Sequence, residues 1–178
     1  MKFKLDFSLD VADGSVPAAD VLTKLDSIRP QLSDISAALG RIRILVDGDD
    51  VCGEYADPLV RLVDQWLRKL PWIIGGDTET VALRNSENCF AFVPASESVE
   101  FSYFLGSETE IEEYVVEPTT VRLDIFVAES LRLGDSLEAT LRGLNDAWVT
   151  DNEDCRDLAT SLSEAKRVWR EYQLHQRR

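Results

Sequence analysis

The sequence predicts an α+β fold: an antiparallel β-meander sheet with three or four helices packed on one face. Three observations lead to this prediction. Apolar and polar residues alternate strictly over 2–11, as in a half-buried strand. An apolar stripe at helical spacing occupies 57–70, and short alternating segments follow it up to residue 117. The 178 residues contain no long linker, so we expect a single domain over 1–178.

The N-terminal part is predicted to contain two strands on either side of a short helical region. Odd-numbered residues from Phe3 to Val11 are apolar, which gives the first strand one buried face and one wet face. A weaker helical pattern covers 17–40, where Pro30 is expected to divide two short helices and Gly40 to end the second. Apolar residues alternate again over 42–46, which predicts a second strand before the turn DGDD.

The clearest helix is predicted at 57–70. Asp57 is a suitable capping residue, Pro58 suits the first helical position, and Pro71 is expected to stop the helix. Trp66 lies within the apolar stripe, so we expect its side chain to be buried.

A β-meander is predicted to follow, because short alternating segments are separated by the turn sequences GGD, NSEN, PASES and GSE. Pro118 is expected to end it, and a helical region then covers 119–144. A last helix carries an apolar stripe from Cys155 to Tyr172. These helices are needed to cover the apolar side of the sheet, while its other side can face water. The strands are expected at 72–75, 79–84, 89–93, 99–105 and 110–116.

The charge of the chain excludes several classes of partner. Nineteen Lys and Arg stand against thirty-three Asp and Glu, a net charge of −14. Nucleic acid and anionic membrane surfaces require a basic footprint, so we expect neither as a partner. No apolar run is long enough to span a membrane, and the N-terminus lacks the pattern of a signal peptide. We therefore expect a cytoplasmic protein whose three cysteines are reduced and mostly buried.

Catalytic and metal-binding signatures are weak. His175 stands alone near the C-terminus, so a Ser-His-Asp or Cys-His arrangement has no positioned base. The stretch 47–57 superficially resembles a calcium loop, but Val51 and Pro58 occupy ligand positions, and a solvated turn explains it better. No Cys or His spacing suits zinc, and IIGGDTET lacks the lysine of a phosphate loop. We therefore expect no cofactor, no metal and no enzymatic activity.

The segment 96–118 carries seven glutamates and neither lysine nor arginine. On the predicted strands, Glu110, Glu112 and Tyr114 share one face, and the intervening residues take the other. Such a patch suits docking of a basic protein through aromatic anchors within an acidic rim. It equally suits a wet sheet face whose edge is protected by charge against aggregation. The candidate partner-binding residues are Glu97, Glu100, Phe104, Glu108, Glu110, Glu112, Glu113 and Tyr114.

Three functional classes follow from these observations. The first is a non-enzymatic acidic binding protein that neutralises or escorts a basic partner. By analogy of composition, this would be an immunity protein against a bacterial toxin with a nuclease-like domain. The second is a structural or adaptor domain that is acidic only for solubility. The third is a small hydrolase that uses paired carboxylates.

Overall fold

A computed structural model describes residues 2–176 and confirms the α+β class, with helices and antiparallel strands along the same chain. Short 3₁₀ turns connect the first helices. The strands are β1 (Phe3–Val11), β2 (Gly14–Pro17), β3 (Leu39–Val46), β4 (Asp49–Asp50), β5 (Asp57–Pro58), β6 (Glu79–Ala82), β7 (Asn88–Ala95), β8 (Ser98–Ser107) and β9 (Glu110–Arg122). The helices are α1 (Ala18–Val21), α2 (Leu25–Ile28), α3 (Leu59–Gly75), α4 (Leu123–Leu144), α5 (Asp146–Asp151) and α6 (Glu153–Gln176).

The strands form two sheets, where the sequence suggested one. In the first, which we call sheet A, the strand order is β2-β1-β3-β4, and β5 also pairs with β3. The second, sheet B, has the order β6-β7-β8-β9 and is the predicted meander. All pairings within both sheets are antiparallel.

Both sheets turn one face toward α3 and α4, where the core lies. Trp66 of α3 is fully buried, as predicted, and its ring packs at 5.3 Å from Phe90 and 4.7 Å from Phe92 of sheet B. Its indole N–H donates to the hydroxyl of Ser130 on α4 at 3.0 Å. Phe3 of sheet A lies 5.4 Å from the ring of Phe101, so the two sheets share one core.

Helix α6 packs on α3 and α4 as a further layer. The contact is close at Gly134 of α4, where a Cβ atom would lie 2.8 Å from Leu162 and 2.9 Å from Leu67. Ion pairs join the layers: Arg61 of α3 pairs with Asp154 of α6 at 2.8 Å. Gly134 weakens the helical pattern in the sequence, and this close approach is the physical reason for a glycine there.

Helix α3 continues beyond Pro71, so the predicted stop and the predicted strand at 72–75 are wrong. Ile73 and Ile74 are buried, and this burial outweighs the hydrogen bond that a proline removes from a helix interior. The helix ends at Gly75, and the next residue, Gly76, has a φ of 97° and donates its backbone N–H to the carbonyl of Ile73. The backbone N–H of Asp77 donates to the carbonyl of Trp72 at 2.9 Å, and the two hydrogen bonds together form a Schellman motif.

Three further boundaries differ from prediction. Asp57 belongs to β5 and does not cap α3; its buried carboxylate accepts the backbone N–H groups of Arg84 and Asn85, both at 2.8 Å. Gly40 lies in β3 and ends no helix. Pro118 does not end its strand, because β9 is an edge strand whose pairing is irregular there, and α4 starts only at Leu123.

Side chains complete the hydrogen bonding at the strand edges of sheet A. The hydroxyl of Tyr55 accepts the N–H of Ile42 at 3.0 Å and donates to the carbonyl of the same residue at 2.8 Å. This contact satisfies the backbone groups of Ile42, which lies in β3 between the segments that pair with β4 and with β5. On β1, the N–H of Leu5 donates to the carboxylate of Glu129 at 3.0 Å, and Arg132 donates to the Leu5 carbonyl. Sheet A therefore presents little unpaired backbone in its middle strands.

The thiols of Cys52, Cys89 and Cys155 are buried, as expected from the sequence. Burial, with the nearby charge of Asp50, raises the pKa of Cys52 to about 12. Burial likewise raises the pKa of Cys155 to about 11. Neither group is a reactive thiolate near neutral pH. Among the helices of residues 2–176, none combines the length and apolar character required to cross a membrane.

Candidate functional site: an acidic edge strand

Strand β9 is the edge of sheet B and the most exposed strand of the fold. It pairs with β8 on one side and ends the strand order on the other. From Glu110 to Val115 every residue is exposed, and Val116 is the first buried one. Its exposed apolar side chains are Ile111, Tyr114 and Val115.

The pairing of β9 with β8 shifts register three times. Tyr114 lies opposite Phe104 and Glu113 opposite Leu105, whereas Glu112 and Val115 have no Cα partner on β8. These irregularities interrupt the two-residue period of a strand. The predicted arrangement, with Glu110, Glu112 and Tyr114 on one regular face, is therefore wrong. Glu112 instead falls at an irregularity of the pairing, and all three side chains are exposed.

The predicted partner-binding residues do not form one patch. Glu108, Glu110, Glu112, Glu113 and Tyr114 lie together on the turn after β8 and on β9. Glu97 is in the turn between β7 and β8, at the opposite end of the hairpin, where its carbonyl accepts the N–H of Leu123. Glu100 is exposed in β8, opposite Thr120.

Phe104 is only 2% exposed, so its ring is not part of the accessible surface. It lies on the sheet face opposite to the main core, beside Cys89 of the neighbouring strand. The ring of Tyr114 meets it edge-on at 6.3 Å. Phe104 therefore flanks Tyr114 as its cross-strand neighbour, and Tyr114 is the aromatic side chain that reaches the surface.

An open cleft of about 440 Å³ lies beside the β8–β9 turn. Four glutamates contribute to its wall: Glu87, Glu108, Glu110 and Glu112. The thiol of Cys89 lies in the same wall at 3.6 Å from the carbonyl of Gly106. Burial, together with the charge of Glu108, raises the pKa of that thiol, so it stays protonated.

The charges of this region lack cationic neighbours. Residues 70–121 contain ten carboxylates and one cation, Arg84, so they carry nine of the fourteen net negative charges of the chain. Within residues 2–176, none of the seven glutamates of 96–118 takes part in an ion pair. On the helices, by contrast, Arg167 pairs with both Glu164 and Glu171 at 2.6 Å. The field in front of β9 is therefore negative and uncompensated within the described chain.

In the part of the chain that the structure describes, no three Asp, Glu, His or Cys side chains are placed to hold a metal ion. His175 is exposed in the last turn of α6, where its Nδ1 atom lies 2.7 Å from the carbonyl of Glu171. What the site offers is a negative potential, apolar side chains and an unpaired strand edge.

Comparisons with known proteins provide no family: no protein-family model matches the chain, and neither the curated proteins nor the solved structures give a significant match.

Three contributors to this site were missed by sequence reasoning. Glu87 comes from the loop before β7 and joins the cleft only through the fold. Ile111 and Val115 were assigned to a strand face without any binding role. The sequence holds one usable indication for them: apolar residues interleaved with glutamates just before a proline suit an exposed edge strand.

Proposed function

We propose that this protein is a non-enzymatic binding protein that docks a basic protein partner on β9 and the neighbouring turn. The observation that carries the proposal is the concentration of unpaired glutamates along an exposed edge strand. A one-signed field of this kind accelerates association with a cationic partner.

The contrast with the charged surfaces of the helices supports this interpretation. Arg142 pairs with Glu138 at 2.8 Å and Lys166 with Asp135 at 2.5 Å, so those carboxylates already have a cation. The glutamates of β9 have none in the described chain. A partner's lysine or arginine can pair with them without breaking an existing ion pair, and this lowers the cost of forming the complex.

Apolar contact area is present where the charge is greatest. Ile111, Tyr114 and Val115 are exposed among the glutamates, and Tyr114 is backed by the buried ring of Phe104. Stable interfaces combine such apolar anchors with a charged rim, and Tyr is among the residues enriched at binding hot spots. A surface acidic only for solubility has no need of three exposed apolar side chains among its charges.

The sharper form of the proposal is an immunity protein: the acidic edge covers the cationic surface of a toxin domain, such as a nuclease that binds phosphates. In that case, binding blocks the toxin by occupying the surface it uses for nucleic acid. If a toxin gene lies directly adjacent to the gene for this protein, that finding would support this form. Capture of a basic protein without toxic activity contradicts it and leaves the broader binding role in place.

The test is a charge-neutralising variant in which Glu108, Glu110, Glu112 and Glu113 are replaced by Gln. Basic proteins are captured from an extract of the source cells, and their association rates are measured at 50 and 200 mM salt. We expect the variant to associate about tenfold more slowly at low salt and to show a weaker dependence on salt. Its stability is expected to hold or rise slightly, because the four like charges lie close together on β9 and the preceding turn and repel one another.

The matched control removes the same number of charges elsewhere. Asp13, Asp20, Asp26 and Asp49 are exposed, form no ion pair within residues 2–176 and lie in the N-terminal part of the chain. Replacing them by Asn gives the same net charge as the first variant. If both variants slow association equally, only the total charge matters, and β9 is not the docking site. If neither changes the on-rate, the docking proposal is wrong.

A further inference from the structure

We infer that the open edge of β9 binds an extended cationic segment as an additional β-strand. This inference deepens the proposed function and depends on it, because it specifies how the basic partner is held. It predicts backbone hydrogen bonds between the partner and β9 as well as contacts between charged side chains.

The first argument compares the strand edges. In sheet A, Tyr55 and the pair Glu129 and Arg132 occupy the backbone groups of the middle strands. In sheet B, the far edge strand β6 has four residues, and Lys69 of α3 pairs with Glu79 on it at 2.7 Å. Strand β9 has thirteen residues and no strand on its outer side within residues 2–176. It is therefore the longest strand edge with room for another chain.

The second argument concerns which chain this edge accepts. A second copy of this protein, pairing edge to edge, would bring the glutamates of two β9 strands together. Like charges placed opposite each other destabilise a strand pair, so self-pairing is opposed. A strand with lysine or arginine at alternate positions reverses the sign of every such contact. The same charges thus reject a second copy and attract a cationic segment.

The third argument concerns the side chains beside the edge. Val115 is 47% exposed and Ile111 48% exposed, so the strand offers apolar contacts as well as charge. An added strand with apolar residues between its cations would cover them. The register shifts at Glu112 and Val115 increase the local twist of β9, so the segment must follow a curved edge. A short segment of six to eight residues is the length we expect, about that of an average strand.

The probe for this inference is a peptide of alternating lysine and valine, seven residues long and blocked at both ends. A second peptide has the same sequence but carries N-methyl groups on every other backbone nitrogen. It keeps the charge and loses the donors and the space that strand pairing requires. A third peptide replaces every lysine by glutamate. Affinities are measured by titration at 50 mM salt, and amide hydrogen exchange of β9 is followed in the presence of each peptide.

We expect the unmodified cationic peptide to bind at least about tenfold more tightly than its N-methylated form, because about three backbone hydrogen bonds are lost. Amides of β9 should exchange more slowly only with the unmodified peptide. The glutamate peptide should not bind. A matched pair of variants locates the contact: Val115→Thr should weaken binding about threefold, while Val93→Thr, 42% exposed on β7, should leave it unchanged.

Equal affinity of the two cationic peptides overturns the strand-pairing inference, while the charge-based docking of the proposed function survives. Absence of binding by both cationic peptides also overturns it, because an open and complementary edge must accept such a strand. Protection of β9 amides that rises with protein concentration, without any peptide, identifies a second copy as the occupant and contradicts the inference. Failure of the proposed function is seen separately, in the capture experiment with the glutamine variant.

Discussion

Sheets A and B have the same antiparallel construction and share one core, but they treat their surfaces differently. In sheet A, several charges are paired: Lys4 with Asp6 at 2.9 Å, and Arg43 with Asp50 at 3.0 Å. Side chains also bind the backbone groups of Ile42 and Leu5 in its middle strands. In sheet B, the glutamates of β9 are unpaired within the described chain and the edge is open. Sheet A thus satisfies part of its backbone with its own side chains, whereas β9 has no strand on its outer side within the described chain.

The largest effect is expected in the core that both sheets share. Trp66→Ala should lower the free energy of unfolding by roughly 3–5 kcal/mol, because it removes ring contacts with sheet B and a hydrogen bond to α4. Trp72→Ala is the matched control: that side chain is 58% exposed, and its loss should cost less than about 0.5 kcal/mol. Urea denaturation measures both. Equal midpoints for the two variants would reject the assignment of Trp66 to the common core.

The closed edge of sheet A is tested by Tyr55→Phe. The variant keeps the ring, which lies 6.1 Å from Phe90 and 5.6 Å from Tyr103, and removes only the hydroxyl. The N–H and carbonyl of Ile42 then lose their partner, so we expect a loss of roughly 1–3 kcal/mol in the free energy of unfolding. Urea unfolding gives the value, and hydrogen exchange at Ile42 should become faster. An unchanged exchange rate would show that the hydroxyl does not close this edge.

A smaller effect is expected at the contact between the sheets. Burial raises the pKa of Asp57, and the hydrogen bonds from Asn85 and Arg84 only partly offset this. An acid whose pKa is raised by folding favours the folded state while it is protonated. Stability should therefore fall as pH rises from about 4 through the raised pKa, and stay constant above it. Asp57→Asn should remove this component, which unfolding free energies of both proteins between pH 4 and 7 will reveal.

A constant difference between the wild type and Asp57→Asn over that pH range would contradict the prediction. Comparison of the two proteins is required because other carboxylates of the chain also contribute to the pH dependence of stability, and both proteins share that contribution.

The fold could largely be predicted from the sequence because its elements follow local patterns. Alternation over Phe3–Val11 predicted β1, and the apolar stripe of α3 correctly placed Trp66 in the core. Errors arose where long-range packing overrides a local rule. Pro71 is a helix-stopping residue in isolation, but the burial of Ile73 and Ile74 keeps α3 helical beyond it.

The candidate site could be predicted in composition but not in shape. The run of glutamates in 96–118 identified the acidic hairpin. The register shifts at Glu112 and Val115 depend on how β9 follows β8 and leave no periodic trace in the sequence. The burial of Phe104 and the position of Glu87 in the wall of the cleft likewise depend on strand order. Pairing partners of this kind are set by tertiary structure.

The hydrogen bonds from α4 to the backbone of Leu5 also have a consequence for the synthesis of the protein. Arg132 lies 127 residues after the carbonyl it contacts, so β1 is finished by a helix that the ribosome makes much later. At roughly 5–20 residues per second, that interval lasts about 6 to 25 seconds. During that interval, the N–H and carbonyl of Leu5 in the apolar strand β1 lack the partners that α4 provides. Strand β1 therefore needs protection during translation until α4 has been made, although both backbone groups of Leu5 are bound in the mature protein.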